Sequence, residues 1–176
     1  MIRPATTADI PAILDIYAPY VSDTAITFEY VVPGLTEFTK RFADITAQFP
    51  WLVWEEDGEV LGYAYGSRAF ERAAYQWDAD LSVYLQPKAA GRGIGRALYE
   101  AVEEYLRRQG YVLLYGLVTS ANERSCGFHE ALGFKRQAVF PACGLKFGQW
   151  HDIIWYEKRL REDVPTTPPI SWKEVL

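Results

Sequence analysis

Cysteine, methionine, basic charge and long apolar runs are what this 176-residue sequence has least of. Its two cysteines, Cys126 and Cys143, are too few for a disulfide framework and lack histidines at zinc-ligand spacing, so free thiols and no metal are expected. No stretch approaches the roughly 20 consecutive apolar residues that span a bilayer, and Met1-Ile2-Arg3-Pro4 opens without the apolar run of a secretion signal. Eighteen Lys and Arg against 23 Asp and Glu leave a net charge of −5, the wrong sign for coating nucleic acid or an anionic membrane. Without a basic stripe, the six tryptophans read as core and interface rather than as a base-stacking surface. The expectation is a soluble cytoplasmic protein with neither nucleic-acid nor membrane partners, in which an anionic ligand must meet a local basic patch.

What is present is enough apolar sequence, 49%, to bury one substantial core. Residues 1–162 read as a single domain and 163–176 as a proline-rich tail. Ile2 to Ala5 reads as a strand, and Thr7 as the N-cap of a helix with Ile10, Ile13, Leu14 and Tyr17 on one side. A second helix is expected over Thr36 to Gln48, after an aperiodic polar and aromatic segment, Thr24 to Pro33, suited to substrate contacts. Asp57-Gly58 accepts the positive φ of a tight turn and so predicts a hairpin between Trp51–Glu55 and Val60–Tyr65. Asp80 to Leu85 alternates like a strand. Ile94, Leu98, Ala101, Val102, Tyr105 and Leu106 then line one face of the clearest helix, which Gly110 stops. Val112 to Val118 reads as a strand covered on both faces, Glu123 to Leu132 as a short helix, and Lys135–Phe140 and Ile153–Lys158 as a last pair of strands. This order predicts an α/β (α+β) fold in which helices flank a mixed central sheet.

The stretch with the most chemical content is Gly91-Arg92-Gly93-Ile94-Gly95-Arg96, between a strand and the amphipathic helix. Glycines without Cβ atoms let backbone N–H groups approach a phosphate, and the unpaired amides and dipole of a helix start favour its charge. Arg92 and Arg96 add positive charge in an acidic protein. A dinucleotide fingerprint would need glycine at Arg96, and a nucleoside-triphosphate loop would need Gly-Lys-Ser/Thr; neither is present. Taken alone, the stretch also fits a flexible turn ahead of a helix.

Motifs along nearly the whole chain accompany this loop: Arg3-Pro4-Ala5-Thr6, Pro50-Trp51-Leu52-Val53, Gly62-Tyr63-Ala64, Ser82-Val83-Tyr84, Asn122 with Ser125, His129-Glu130-x-Leu132-Gly133-Phe134, and Gly144-x-Lys146-x-Gly148-x-Trp150-x-Asp152. Together they resemble the GNAT acetyltransferase superfamily, and within it the phosphinothricin and methionine sulfoximine N-acetyltransferase branch. The resemblance implies a GNAT-like mixed sheet, acetyl-CoA as co-substrate, a small amino-acid-like amine as acceptor, and a homodimer with the Gly144 to Asp152 hairpin near the subunit contact; a peptide or other amine as acceptor, and a non-catalytic acyl-CoA-binding module, are the alternative readings. His151 would then belong to that hairpin rather than to catalysis. Two positions depart from the family pattern: Ala90 stands where the loop usually opens with Gln or Arg, and Asp80 where this branch usually has Glu.

The resemblance also distributes roles. Gly91, Arg92, Gly93, Ile94, Gly95 and Arg96 would hold the pyrophosphate, and the backbone at Val83, Tyr84 and Leu85 would pair with the pantetheine arm. Asn122 and, more weakly, Ser125 would add contacts, although Asn122 also reads as a plain helix N-cap. Asp80 is the first choice as general base, through water because it is short, with Asp78 as the spare and a solvated strand-start carboxylate as the alternative. His129 stands where the wider superfamily often carries the Tyr that protonates the departing thiolate; it could serve as that acid or simply pack beneath the short helix. Arg72 would grip the acceptor's carboxylate, with Tyr75 and Phe28 as walls and Glu29 near the amine.

Overall fold

The computed structural model describes residues 1–176. Seven strands, β1 (Ile2–Pro4), β2 (Trp51–Glu56), β3 (Glu59–Arg68), β4 (Asp78–Leu85), β5 (Leu113–Thr119), β6 (Lys135–Lys146) and β7 (Gln149–Arg159), form one sheet in the order β1-β2-β3-β4-β5-β7-β6. Every neighbouring pair is antiparallel except β4 and β5. The single parallel join follows from the crossover between them, which carries the longest helix.

Helices α1 (Ile10–Ser22) and α2 (Leu35–Thr46) cover one face of the sheet, and α3 (Ile94–Gln109) covers the other. On the first face Ile13, Tyr17, Phe38 and Phe42 pack against Trp51 and Tyr63. On the second, Leu98, Val102 and Leu106 meet Leu81 and Leu114, each fully buried aliphatic side chain contributing about 1.5–3 kcal/mol. Helix α3 stops where its periodicity stops: Gly110 takes φ 102°, and the N–H of Tyr111 returns to the Leu106 carbonyl. The short helix α4 (Glu123–Ala131) lies on the α3 side, with His129 over Gly116 of β5, where any Cβ would collide with the imidazole.

Three local features differ from the sequence reading. Thr6 rather than Thr7 caps the first turn: its N–H and hydroxyl both donate to Asp9 Oδ2, and the 3-10 turn Thr7–Asp9 precedes α1. Strand β4 starts earlier, at Asp78. The last two strands run much further than the pattern shows, through to a tight turn at Phe147-Gly148. A register shift between Phe140 and Gly144, with Ala142 at φ 45°, breaks the alternation there, and Pro141 hides the strand from propensity.

The tail is packed. Ile170 exchanges hydrogen bonds with Gln109 at the end of α3, and the Trp172 N–H groups reach the Thr46 carbonyl at the end of α2 and the Gln48 carbonyl just after it. Trp172 is buried at this junction. Trp172→Ala should therefore lower unfolding free energy by about 3 kcal/mol in urea titration, in the range of other buried aromatic truncations; an unchanged midpoint would mean that the tail adds nothing to the core.

Candidate active site

The parallel ladder between β4 and β5 lasts for three pairs, Asp78↔Leu113, Ala79↔Leu114 and Asp80↔Tyr115. Beyond it β4 stays with β3 to Leu85, while β5 follows β7 to Thr119. A cleft of about 710 Å³ opens where they part. The peptide groups of alternate β4 residues point toward it, in phase with the bond from Val112 N–H to the Trp77 carbonyl just before the paired section. Two positions are already engaged: the Tyr99 hydroxyl approaches the Leu81 carbonyl at 3.4 Å, and the Tyr20 hydroxyl meets both Leu85 C=O at 2.8 Å and Leu85 N–H at 3.3 Å. Between them, Val83 turns its N–H and C=O into the cleft. Tyr84 and Leu85 also line it, Tyr84 from the next register position.

At the mouth, Gly91 and Gly93 take φ 77° and 79°, and a Cβ on either would project into open space. Helix α3 has no side-chain cap, and its first intrahelical bond runs from Ala97 N–H to Gly93 C=O. The amides of Ile94, Gly95 and Arg96 are thus free at a positive helix end. Ile94 contributes only backbone, because its side chain is in the core. Gly95 lets α3 approach the Leu85 side chain. Arg96 lines the mouth, and so does Arg124, which the sequence reading did not select. Arg92 does not line the cleft: it pairs with Glu56 at 2.8 Å.

Asp80 stands at the apex, where pairing ends. Its side chain shares the α1/α2 face with its register partners Ser67 and Tyr115, and its Oδ1 is buried without a hydrogen-bond partner. Burial alone pushes its pKa up to about 7. Burial, then Glu157, also raises Asp78, which lies outside the cleft lining. Tyr65, Ser67 and Ser82 line the cleft beside Asp80. Nothing in their residue types marks them; only the β3–β4 register brings them there.

His129 lines the cleft from the opposite face of the sheet, with both ring nitrogens engaged. Nδ1 is 2.8 Å from the Ser125 carbonyl and must carry the proton, so Nε2 accepts the Tyr99 hydroxyl at 3.0 Å. Burial lowers its pKa, which favours the neutral ring. Asn122 lines the cleft as the N-cap of α4, its side chain accepting Ser125 N–H at 3.2 Å. Ser125 lines it too.

The four residues expected around the acceptor are not gathered in the cleft lining. Glu29 is bound by Arg41 and by the Tyr17 hydroxyl, and Phe28 packs over Gly144 of β6. Arg72 and Tyr75 are exposed on the segment between β3 and β4, where Tyr75 rests on Phe70 and Phe70 rests on Tyr115, the register partner of Asp80. Their sequence signal lay in neighbouring motif residues, which carry no information about side-chain direction.

A carboxyl held neutral by burial disfavours the folded state once it ionises. With a folded pKa near 7 against about 3.9 unfolded, the folded state binds more protons between these values, so stability falls as pH rises through that window. Asp80→Asn should be more stable than wild type at pH 8 by about 1–3 kcal/mol, with the gap closing toward pH 4. Equal urea midpoints at both pH values would contradict the burial of this charge.

Residues 2–155 match the acetyltransferase (GNAT) domain. The chain is 38% identical to the phosphinothricin N-acetyltransferase of Alcaligenes faecalis over 164 residues, covering 91% of this chain and 82% of that protein. It is 36% identical to the L-methionine sulfoximine/L-methionine sulfone acetyltransferase of Pseudomonas aeruginosa, covering 90% and 94%. The crystal structure of a GNAT superfamily phosphinothricin acetyltransferase from Sinorhizobium meliloti in complex with AcCoA superposes with a TM-score of 0.90 at 35% identity, over 96% of this chain and 92% of that one. With the matched domain running from β1 into β7 around the divergent strand pair, the chain belongs to the GNAT acetyltransferase family.

Proposed function

We propose that the protein transfers an acetyl group from acetyl-CoA to the primary amine of a small amino-acid-like acceptor, of the class that phosphinothricin and methionine sulfoximine represent. The observation that carries this reading is Asp80, an unpartnered carboxyl with a pKa near 7 at the apex of a cleft whose mouth is an anion-binding helix start.

The residues present fit acetyl-CoA. The free amides of Ile94, Gly95 and Arg96 and the open turn at Gly91 and Gly93 suit a pyrophosphate, with Arg96 and Arg124 beside it. Amides compensate for Ala90, which brings no donor side chain. The Val83 peptide group offers one donor and one acceptor to an amide-bearing arm, and Asn122 lies on the same route. Acetyl-CoA supplies an acetyl group already activated as a thioester. Val83 N–H, three residues beyond Asp80 on β4, is the donor that would polarise the thioester carbonyl.

An amino-acid amine is protonated at neutral pH, and only its neutral form is a nucleophile. Asp80 removes that proton, directly or through one water, and a base near pKa 7 is half ionised where the reaction runs. His129 acts as a positioning residue that fixes the Tyr99 hydroxyl against the cleft. Arg72 reaches the acceptor's carboxylate and Tyr75 flanks it, from the segment that packs on Tyr115 at the Asp80 end of the cleft. The exposed apolar side chains Leu145, Phe147 and Trp150 on the β6–β7 hairpin support a homodimer through that edge. No helix is long and apolar enough to cross a membrane, and both cysteines are free, which supports a cytoplasmic enzyme.

The test is thiol release from acetyl-CoA, blank-corrected for Cys126 and Cys143, across phosphinothricin, methionine sulfoximine, methionine sulfone, common amino acids and a peptide. One small acceptor should dominate, and its kcat/KM should rise with pH through about 7. Asp80→Asn should lower kcat by roughly 100-fold or more and flatten that rise. No turnover on any small acceptor while acetyl-CoA still binds would overturn the reading.

A further inference from the structure

The most unusual charge outside the cleft is Lys146, the last residue of β6. It is 1% exposed, and its ammonium has no carboxylate partner. The carboxylate whose charge it feels, Glu29, is itself bound by Arg41 and Tyr17. Nζ instead donates to two backbone carbonyls, Val21 at 2.8 Å and Thr27 at 2.7 Å. Val21 lies in the last turn of α1, where carbonyls lack helical partners and a cation is favoured. Thr27 lies on the segment between α1 and α2. One buried charge therefore fixes both ends of a short arc of chain.

Between those ends sits Ile26, which lines the cleft. Its two neighbours are tied down: the Thr27 carbonyl by Lys146, and the Ala25 carbonyl by the Thr119 hydroxyl at 2.8 Å. The same arc is pressed onto the β6–β7 hairpin by Phe28, whose ring occupies the space a side chain at Gly144 would need, and by Tyr30, whose hydroxyl donates to the Leu145 carbonyl. Thr119 and Tyr115 alternate onto one face of β5, and Tyr115 is paired with Asp80. Ile26, held beside Thr119, thus reaches the cleft from the α1/α2 face of the sheet, the face to which Asp80 points, whereas α3 and its start lie on the other.

A methionine would fill the same space without the cost of burying an ammonium but would leave the Val21 and Thr27 carbonyls without their donor, so the charge serves what it holds rather than packing. We infer that Lys146 is a positioning residue for acceptor selection: it clamps the α1–α2 segment so that Ile26 forms a fixed wall of the acceptor end of the cleft. This rests on the acetyltransferase reading above. Two charge-assisted hydrogen bonds hold the wall, and their loss lets the segment drift while β4, the glycine turn and Asp80 stay in place. The wall acts on which amine is held, not on acetyl-CoA.

The test compares wild type, Lys146→Met and Gly144→Ala in steady-state assays with the best small acceptor, with acetyl-CoA Kd by calorimetry and folding by circular dichroism. Gly144→Ala pushes Phe28 and the segment off the hairpin without touching the ammonium, and Gly144 is not at positive φ, so its backbone tolerates alanine. Both variants should raise acceptor KM about tenfold, with kcat and acetyl-CoA Kd within about threefold of wild type. A folded Lys146→Met with unchanged acceptor KM overturns the inference, as does an equal loss in kcat and kcat/KM at constant KM. Loss of the fold in both variants assigns the clamp to the scaffold and also overturns it. A wild type inert toward every acceptor is a different failure: it removes the acetyltransferase reading, and this inference with it.

Discussion

The ladder between β4 and β5 ends after Asp80–Tyr115, and the rest of the site depends on that ending. A parallel pair continued to Leu85 would satisfy every backbone group of β4 and leave no room for a ligand. Divergence leaves a strand edge inside the protein, and the structure deals with it residue by residue: Tyr99 meets Leu81, Tyr20 meets Leu85, and Val83 faces the cleft. An internal edge is a place for an extended, amide-bearing ligand to add itself to the sheet. Gly95 seats the α3 start close to the end of this edge.

The same divergence separates the chemistry onto two faces. Asp80 points to the α1/α2 side and is left there with a buried, unpartnered oxygen. His129 packs on the α3 side, and Gly116 makes room for its ring. Its tautomer is set by the Ser125 carbonyl, which leaves Nε2 to receive Tyr99. One face therefore holds a group that changes charge near neutrality, while the other holds a neutral, fully bonded framework. A buried carboxyl weakens the fold, and its retention at the apex of a cleft is the pattern expected where activity and stability compete.

Much of this was legible in the sequence, for identifiable reasons. Helix α3 could be read from the spacing of Leu98, Val102 and Leu106 and from Gly110, because one amphipathic helix on a sheet obeys a single period. The glycine turn could be read because positive φ beside a helix start leaves few residue choices. Strand β6 extends beyond its alternating stretch because a bulge near Ala142 breaks the pattern that defines a strand, and β7 begins in Gln149-Trp150-His151-Asp152, which carries no apolar alternation. Tyr99 as partner of His129, and Tyr65 and Ser67 beside Asp80, depend on register between distant segments. Lys146 stood inside a motif, but its burial and its two carbonyls come from α1 and the segment that follows, which no local pattern relates to β6. Glu29 shows the converse, since its place next to the motif residues suggested a pocket and its side chain is instead held by Arg41 and Tyr17, outside the cleft lining.

The central claim is that the free edge of β4 is where acetyl-CoA docks, and backbone amide exchange followed by NMR tests it most directly. On saturation with acetyl-CoA, the amides of Val83 and of Gly93 to Arg96 should gain strong protection, while Leu85 N–H, already held by Tyr20, should change little. Protection confined to the glycine turn, with Val83 exchanging as before, would contradict the account and leave the cleft without its proposed ligand.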